Sequence, residues 1–247
     1  MKAYFLSDLH LRRGDDPASL RFAAFLRSVP ARGDLLLLGG DIFDLFVGNK
    51  AVFRAQHAPV LDALRAAAMK GVEVHYLEGN HDFHVKRAFG NLPNFLVHAD
   101  DYGLEWQGTK IYVSHGDMID PEDRGYRLLR AVTRHFAFRA FLRVFPGRGI
   151  AALGDASSKK SRQYNHTDAG GQPGRERLRA LYANFAREKV AEGYSHVLVG
   201  HSHLRDQIEL EAGEKRGEYI NLGFSAEDLP YAELSAGALS FELKSYT

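Results

Sequence analysis

The 247-residue chain carries 32 Lys and Arg against 31 Asp and Glu, for a formal net charge of +1, so no global field exists to hold a nucleic-acid backbone or an anionic membrane. Hydrophobic residues at 45% and charged residues at 26% give a globular composition that can bury a core. The chain has no Cys, which excludes disulfides, thiolate nucleophiles and Cys-type zinc sites, and any metal must be held by His, carboxylate and amide ligands.

Taken in chain order, the N-terminus runs from Met1 into Lys2-Ala3-Tyr4-Phe5-Leu6 without the pattern of a signal peptide. Apolar runs stay well short of the roughly 20 residues a spanning helix needs. A cytoplasmic protein is expected. Short β-type runs at 3–6, 35–38 and 72–77 alternate with helical patterns at 17–29 and 59–69, the rhythm of βαβ units. The first helix shows an apolar stripe of Leu20, Phe22, Ala23, Phe25 and Leu26. From residue 95 onward the pattern turns to hairpins, with strands at 103–106 and 110–114 around Gln107-Gly108-Thr109. A second pair at 208–210 and 219–222 flanks Ala212-Gly213-Glu214, and 239–243 reads as a half-buried strand. Between them, about 126–190, two helical patterns joined by a polar stretch read as an inserted cap on a single domain over 1–247. The class is layered α/β.

Each β-type run ends in polar residues that pack poorly: Ser7-Asp8-Leu9-His10, Gly39-Gly40-Asp41-Ile42-Phe43-Asp44, Glu78-Gly79-Asn80-His81-Asp82, Ser114-His115-Gly116-Asp117 and Gly200-His201-Ser202-His203. Carboxyl ends of strands in open α/β sheets meet at one edge, where ligands bind, so these clusters are expected to converge. Residues two apart in an extended segment project to one side. Asp8 with His10, and His201 with His203, are therefore expected to present two ligands each to one place. Imidazole, carboxylate and amide oxygens together suit Mn, Fe or Zn rather than Ca. Taken singly, His57, His75, His98, His135, His166 and His196 are expected to be core or surface histidines.

The ordered set Asp-x-His, Gly-Asp-x-x-Asp, Gly-Asn-His-Asp, His-Gly-Asp and Gly-His-x-His, spanning Asp8 to His203, resembles the calcineurin-like metallophosphoesterase family. The resemblance implies a four-layer αββα sandwich with an inserted helical cap and two divalent metal ions. By position, Asp8 and His10 hold one metal and Asn80 and His115 the other, with Asp41 bridging. His201 then completes the second site and His203 the first. His81 would stabilise charge on the phosphoryl group or protonate the leaving group. Asp44 has two readings, orienting His81 or capping its own loop. Asp82 and Asp117 are expected to support ligand histidines rather than to bind metal.

Within the family, the segments around Asp41, Asn80 and His115, with Glu122-Asp123-Arg124-Gly125-Tyr126 and Ser158-Lys159, look like the UDP-2,3-diacylglucosamine hydrolase branch of lipid A biosynthesis. That branch cleaves a nucleotide-lipid pyrophosphate, usually with manganese, under a helical lid. The chain departs from its best-known members at His81, where they carry Arg, and at Asn49-Lys50, where they carry an acidic pair. Asp123, Ser158, Lys159 and Arg162, together with Asn80 and His81, are expected to bind substrate. Lys159 and Lys160 either meet phosphate or stay solvated. In the lid stretch, Leu128, Leu129, Val132 and Phe136 lie among Arg127, Arg130 and Arg134. Such a basic amphipathic segment covers acyl chains, lies peripherally on the inner membrane, or packs on its own domain. No nucleic-acid partner is expected. Two rival readings are a phosphoesterase of broader specificity and a non-catalytic scaffold, and the intact set of ligand positions argues against the scaffold.

Overall fold

The structure, a computed structural model, describes residues 1–123, 127, 130, 145, 149, 171–224 and 228–247. Its first strand, β1 (Lys2–Leu6), sits at the centre of a six-stranded sheet. On one side of it run β2 (Leu35–Leu38), β4 (Glu73–Leu77) and β6 (Phe95–His98), all parallel. On the other side β12 (Leu229–Ser235) and β13 (Glu242–Tyr246) complete the sheet antiparallel. A second sheet has the order β10 (Asp206–Ala212), β11 (Lys215–Asn221), β9 (His196–Val199), β8 (Thr109–Ser114), β7 (Tyr102–Trp106). Two-residue strands β3 (Phe46–Val47) and β5 (Asp82–Phe83) pair on their own.

Side-chain alternation sorts the core into three layers. Tyr4, Leu6, Leu36, Leu38, Val74 and Tyr76 face the helices α1 (Pro17–Ser28) and α3 (Ala58–Lys70). Their neighbours Ala3, Phe5, Leu35, Leu37 and Leu77 face the second sheet, where they meet Trp106, Ile111, Val113, Leu198 and Ile220. Beyond that sheet, Val197, Val199 and Tyr219 pack on Tyr182, Ala186 and Val190 of the long helix α5 (Gly171–Glu192). The described layers are thus helix, sheet, sheet, helix. Two shorter helices, α2 (Ala51–Gln56) and α4 (Lys86–Phe89), lie in the connections of the first sheet.

Local signals explain the boundaries. Asp16 accepts the Ser19 N–H at 2.7 Å with Pro17 just inside α1, an N-cap followed by a proline that fits the first turn. The β7–β8 hairpin turns on Gln107 and Gly108 at φ 51° and 77°, the paired positive φ of a tight primed turn.

Four expectations need correction. Residues 95–98 do not open a hairpin, because β6 extends the first sheet in parallel beside β4. The last strand lies at Glu242–Tyr246 rather than 239–243, since Gly237 takes a left-handed turn and Leu239 is left 94% exposed. Leu20 stands 50% exposed, outside the stripe of α1. Residues 171–190, expected within the cap, belong to α5 and form the outer layer on the second sheet. The cap residues before them, apart from the few named above, lie outside the described residues. Among the described residues no helix is long and apolar enough to cross a membrane.

His57, His75 and His196 are buried as expected of isolated histidines, and His98 is half-buried. His135 and His166 lie outside the described residues. His57 is 0% exposed, its ring 4.6 Å from that of Phe43 and 6.0 Å from that of Phe46. Burial drives its pKa down to about 4. The unfolded chain protonates this ring below about 6.5 while the fold resists, so stability falls as pH drops from 6.5 towards 4, by about 2 kcal/mol at pH 5. His57→Leu is expected to shrink the drop in melting temperature between pH 7.5 and pH 5, measured in chelator. Equal drops in both proteins would refute this.

Candidate metal centre

Every cluster expected at a strand end is there. Asp8 follows β1, Asp41 follows β2, Asn80 follows β4, His115 directly follows β8 and His201 follows β9. All five are carboxyl ends of parallel strands in two facing sheets, which brings the loops to one edge. The loops are laced by backbone: Asp8 N–H donates to Gly40 O at 3.0 Å, His10 N–H to Asp41 O at 3.0 Å and Leu11 N–H to Ile42 O at 2.9 Å. Glycines make room for this approach. A Cβ on Gly79 would run into the Asp41 carboxylate, and one on Gly200 would sit 2.5 Å from Asp8 Oδ2.

Two donor groups result. Ligand atoms of Asp8, His10 and His203 lie within 4.8 Å of one another, as do those of Asp41, His115 and His201. Asn80 joins the second group, its Oδ1 lying 3.0 Å from His115 Nε2. In the first group, Nε2 of His10 and Nε2 of His203 face each other at 3.1 Å, and His203 Nε2 is 3.7 Å from Asp8 Oδ1. The paired spacing works differently from the extended segment expected. Asp8, His10, His201 and His203 have φ of 53°, 46°, 67° and 56°; these left-handed residues turn the chain, so His201 and His203 end in different groups. With Asp41 (φ 52°), five of the eight non-glycine residues of positive φ among those described are candidate ligands. Each costs on the order of 1–3 kcal/mol, strain that persists where a function holds it.

The donor chemistry fits a pair of cations. Asp8 Oδ2 is buried with no hydrogen-bond partner among the described residues, a cost a cation removes. His115 donates Nδ1–H to Gly39 O at 2.9 Å, which fixes the ring and aims Nε2 at the site. Burial, then neighbouring His115, lower His201 to about 4, and burial lowers His10. Both rings are therefore neutral and able to ligate. Burial works against charge on the Asp41–His115 pair, 3.4 Å apart, yet each holds the other ionised: Asp41 well below and His115 well above its ordinary range. Cations taking that place would displace the His115 proton, so metal uptake is linked to proton release.

Around the ligands, His81 donates its backbone N–H to Asp41 Oδ1 at 2.9 Å, while its Nδ1 lies 2.6 Å from the Asp44 carbonyl oxygen. His10, Asp44 and His81 form a third close group sharing His10. Asp44 thus holds His81 through its backbone carbonyl, with its carboxylate within 4.8 Å of ring nitrogens of His10 and His81. Asp82 does not support a ligand histidine as expected. Its carboxylate accepts from the backbone N–H of Asp41 at 3.1 Å, Ile42 at 2.7 Å and Gly79 at 2.8 Å, and from Tyr76 Oη–H at 2.6 Å. Asp117 pairs with Arg130 at 2.8 Å. Of the expected substrate residues, Asp123 follows a turn at 121–122 and its carbonyl accepts Arg127 N–H at 3.1 Å; Ser158, Lys159 and Arg162 lie outside the described residues.

Two residues were not picked out from the sequence. Asn221, fully buried, donates Nδ2–H to Gly200 O at 3.1 Å and to Ser202 Oγ at 3.0 Å, bracing the His201–His203 loop. Phe224 lies against His203 and His10. Its only advance signal is an aromatic residue just after a strand-end glycine.

A layered α/β sandwich whose strand-end His, Asp and Asn side chains gather into two donor groups defines the class of metal-dependent phosphoesterases. The model of the calcineurin-like phosphoesterase family matches residues 1–205, and the chain belongs to that family; it is a hydrolase of the kind that uses a dinuclear divalent metal site. A UDP-2,3-diacylglucosamine hydrolase of Xanthomonas campestris pv. campestris is 28% identical over 244 residues, 98% of each chain. One of Nitrosococcus oceani is 34% identical over 134 residues, 54% of this chain and 53% of its own. A solved archaeal phosphodiesterase, 12% identical, covers 99% of both chains with a TM-score of 0.51, a likeness of fold alone.

Proposed function

We propose that the chain hydrolyses the pyrophosphate of UDP-2,3-diacylglucosamine to UMP and 2,3-diacylglucosamine 1-phosphate. The observation that carries the reading is end-to-end similarity to hydrolases of that name, joined to two donor groups at one sheet edge. Asp8, His10 and His203 would hold one cation and Asn80, His115 and His201 the other, with Asp41 between; manganese suits these N and O donors. Two such cations supply a water nucleophile at neutral pH and draw charge from the phosphoryl oxygens. Water adds to the α-phosphorus, the bond to the bridging oxygen breaks, and that oxygen leaves on the sugar 1-phosphate. His81, held at Nδ1 by the Asp44 carbonyl, has Nε2 left to protonate or hydrogen-bond the departing oxygen. Asn80, His81, Asp123, Ser158, Lys159 and Arg162 are assigned to substrate, and the segment before α5 to a cap over the acyl chains. A cytoplasmic enzyme touching the inner membrane through that cap follows from the same reading.

The second reading is a diesterase or phosphatase of broader range. It is favoured by His81 where the branch carries Arg, and by Lys50, whose Nζ–H bonds Phe145 O at 2.7 Å in place of an acidic pair. Purified protein with manganese is expected to release UMP from UDP-2,3-diacylglucosamine faster than it cleaves bis(p-nitrophenyl) phosphate. Turnover of the simple diester alone would transfer the assignment to the second reading.

A further inference from the structure

Phe224 is an apolar ring left 46% exposed beside the charged centre. It is not a loose surface side chain. Its ring stacks on that of His203, centroids 5.4 Å apart and planes inclined 27°, and meets the edge of His10 at 5.7 Å. The backbone before it is equally fixed: Gly223 takes φ 68° and donates N–H to Asn221 Oδ1 at 2.9 Å. The same buried Asn221 amide binds Gly200 O and Ser202 Oγ. One side chain therefore sets the aromatic ring and the His201–His203 loop in register. One part of the ring rests on a ligand histidine, and the rest is open to solvent at the rim of the donor groups.

We infer that Phe224 is a stacking platform for the nucleobase of a nucleotide ester bound at the metal centre. The inference rests on the reading that the substrate carries a uridine nucleotide. An aromatic face next to a phosphate-binding centre suits a flat base joined to that phosphate through a ribose. Base-on-aromatic stacking tolerates any base, because each has a π-face, so the platform would strengthen nucleotide binding without choosing uracil among bases. His203 beneath the ring ties the platform to the first donor group.

The test is equilibrium binding to the manganese-loaded full chain, by calorimetry, of UMP and of ribose 5-phosphate, which has the same phosphate and sugar but no base. Phe224→Ala is expected to weaken UMP about tenfold, the order of one base stack, and to leave ribose 5-phosphate unchanged. Phe224→Trp restores UMP binding. Parallel losses for both ligands would overturn the inference, since that pattern marks damage to the cation site under the ring. So would wild-type protein that binds UMP no better than ribose 5-phosphate, or a Phe224→Ala variant with unaltered UMP binding. The outcome separates from that of the lipid assay: selective loss of UMP binding with the UDP-lipid uncleaved keeps the platform and removes the lipid. Cleavage of the UDP-lipid with UMP binding unmoved removes the platform alone.

Discussion

His115→Ala and His203→Ala are each expected to lower kcat/KM by on the order of 10³-fold, about 4 kcal/mol at the transition state, and the double variant to fall little further. The two residues sit in different donor groups, His115 with Asp41 and His201, His203 with Asp8 and His10. If both cations clamp one phosphoryl group, either loss disables the pair, and groups that act as a unit are strongly non-additive. The variants differ in stability. His203 is a third exposed and its removal is expected to leave the fold intact, whereas His115 is buried and its loss is expected to destabilise by removing the charge partner of the Asp41 carboxylate. Metal content by atomic absorption should fall with activity in both. Two losses that multiply in the double variant would refute the joint mechanism, and near-normal turnover of either single variant would remove that residue from the site.

Asp82→Ala is expected to cost about 4 kcal/mol of stability, read as the shift in urea midpoint, and most of the activity with it. Burial, then the nearby Asp41 carboxylate, push Asp82 up to about 7, yet it accepts three backbone N–H groups and the Tyr76 hydroxyl. Removing it leaves those buried donors unmade, at roughly 1–3 kcal/mol for each fully desolvated group, and frees the turns that aim Asp41 and Asn80. Asp82→Asn keeps one oxygen and points an amide NH₂ at donors on the other side, so about half the loss is expected. The order wild type, Asn, Ala in midpoint is the test; an Ala variant as stable as wild type would show that Asp82 does not anchor these loops.

The polar clusters at the strand ends were legible in the residues alone, because burying so many acids and histidines there is costly unless they share a ligand; which member of each cluster binds came from the resemblance to the family. Asp8, His10, Asp41, Asn80, His115, His201 and His203 could all be named, and the structure gathers them at one edge. The βαβ rhythm and the first hairpin were equally readable, since period and turn chemistry are local. Strand β12 was not: Leu229-Pro230-Tyr231-Ala232-Glu233-Leu234 shows no alternation, because six of its seven residues are buried between two neighbours.

The amino-acid sequence by itself carried the polar clusters at the strand ends, the βαβ rhythm and the order of motifs that resembles the family. Only the tertiary structure shows how His201 and His203, which spacing alone would align, come to lie in different donor groups: left-handed turns at both residues redirect their side chains. Only it gave Asp82 its loop-anchoring role, made Asn221 a brace and placed Phe224 at the rim. Those assignments depend on contacts between segments up to about two hundred residues apart, and spacing along the chain carries no trace of which distant backbone groups a side chain will meet.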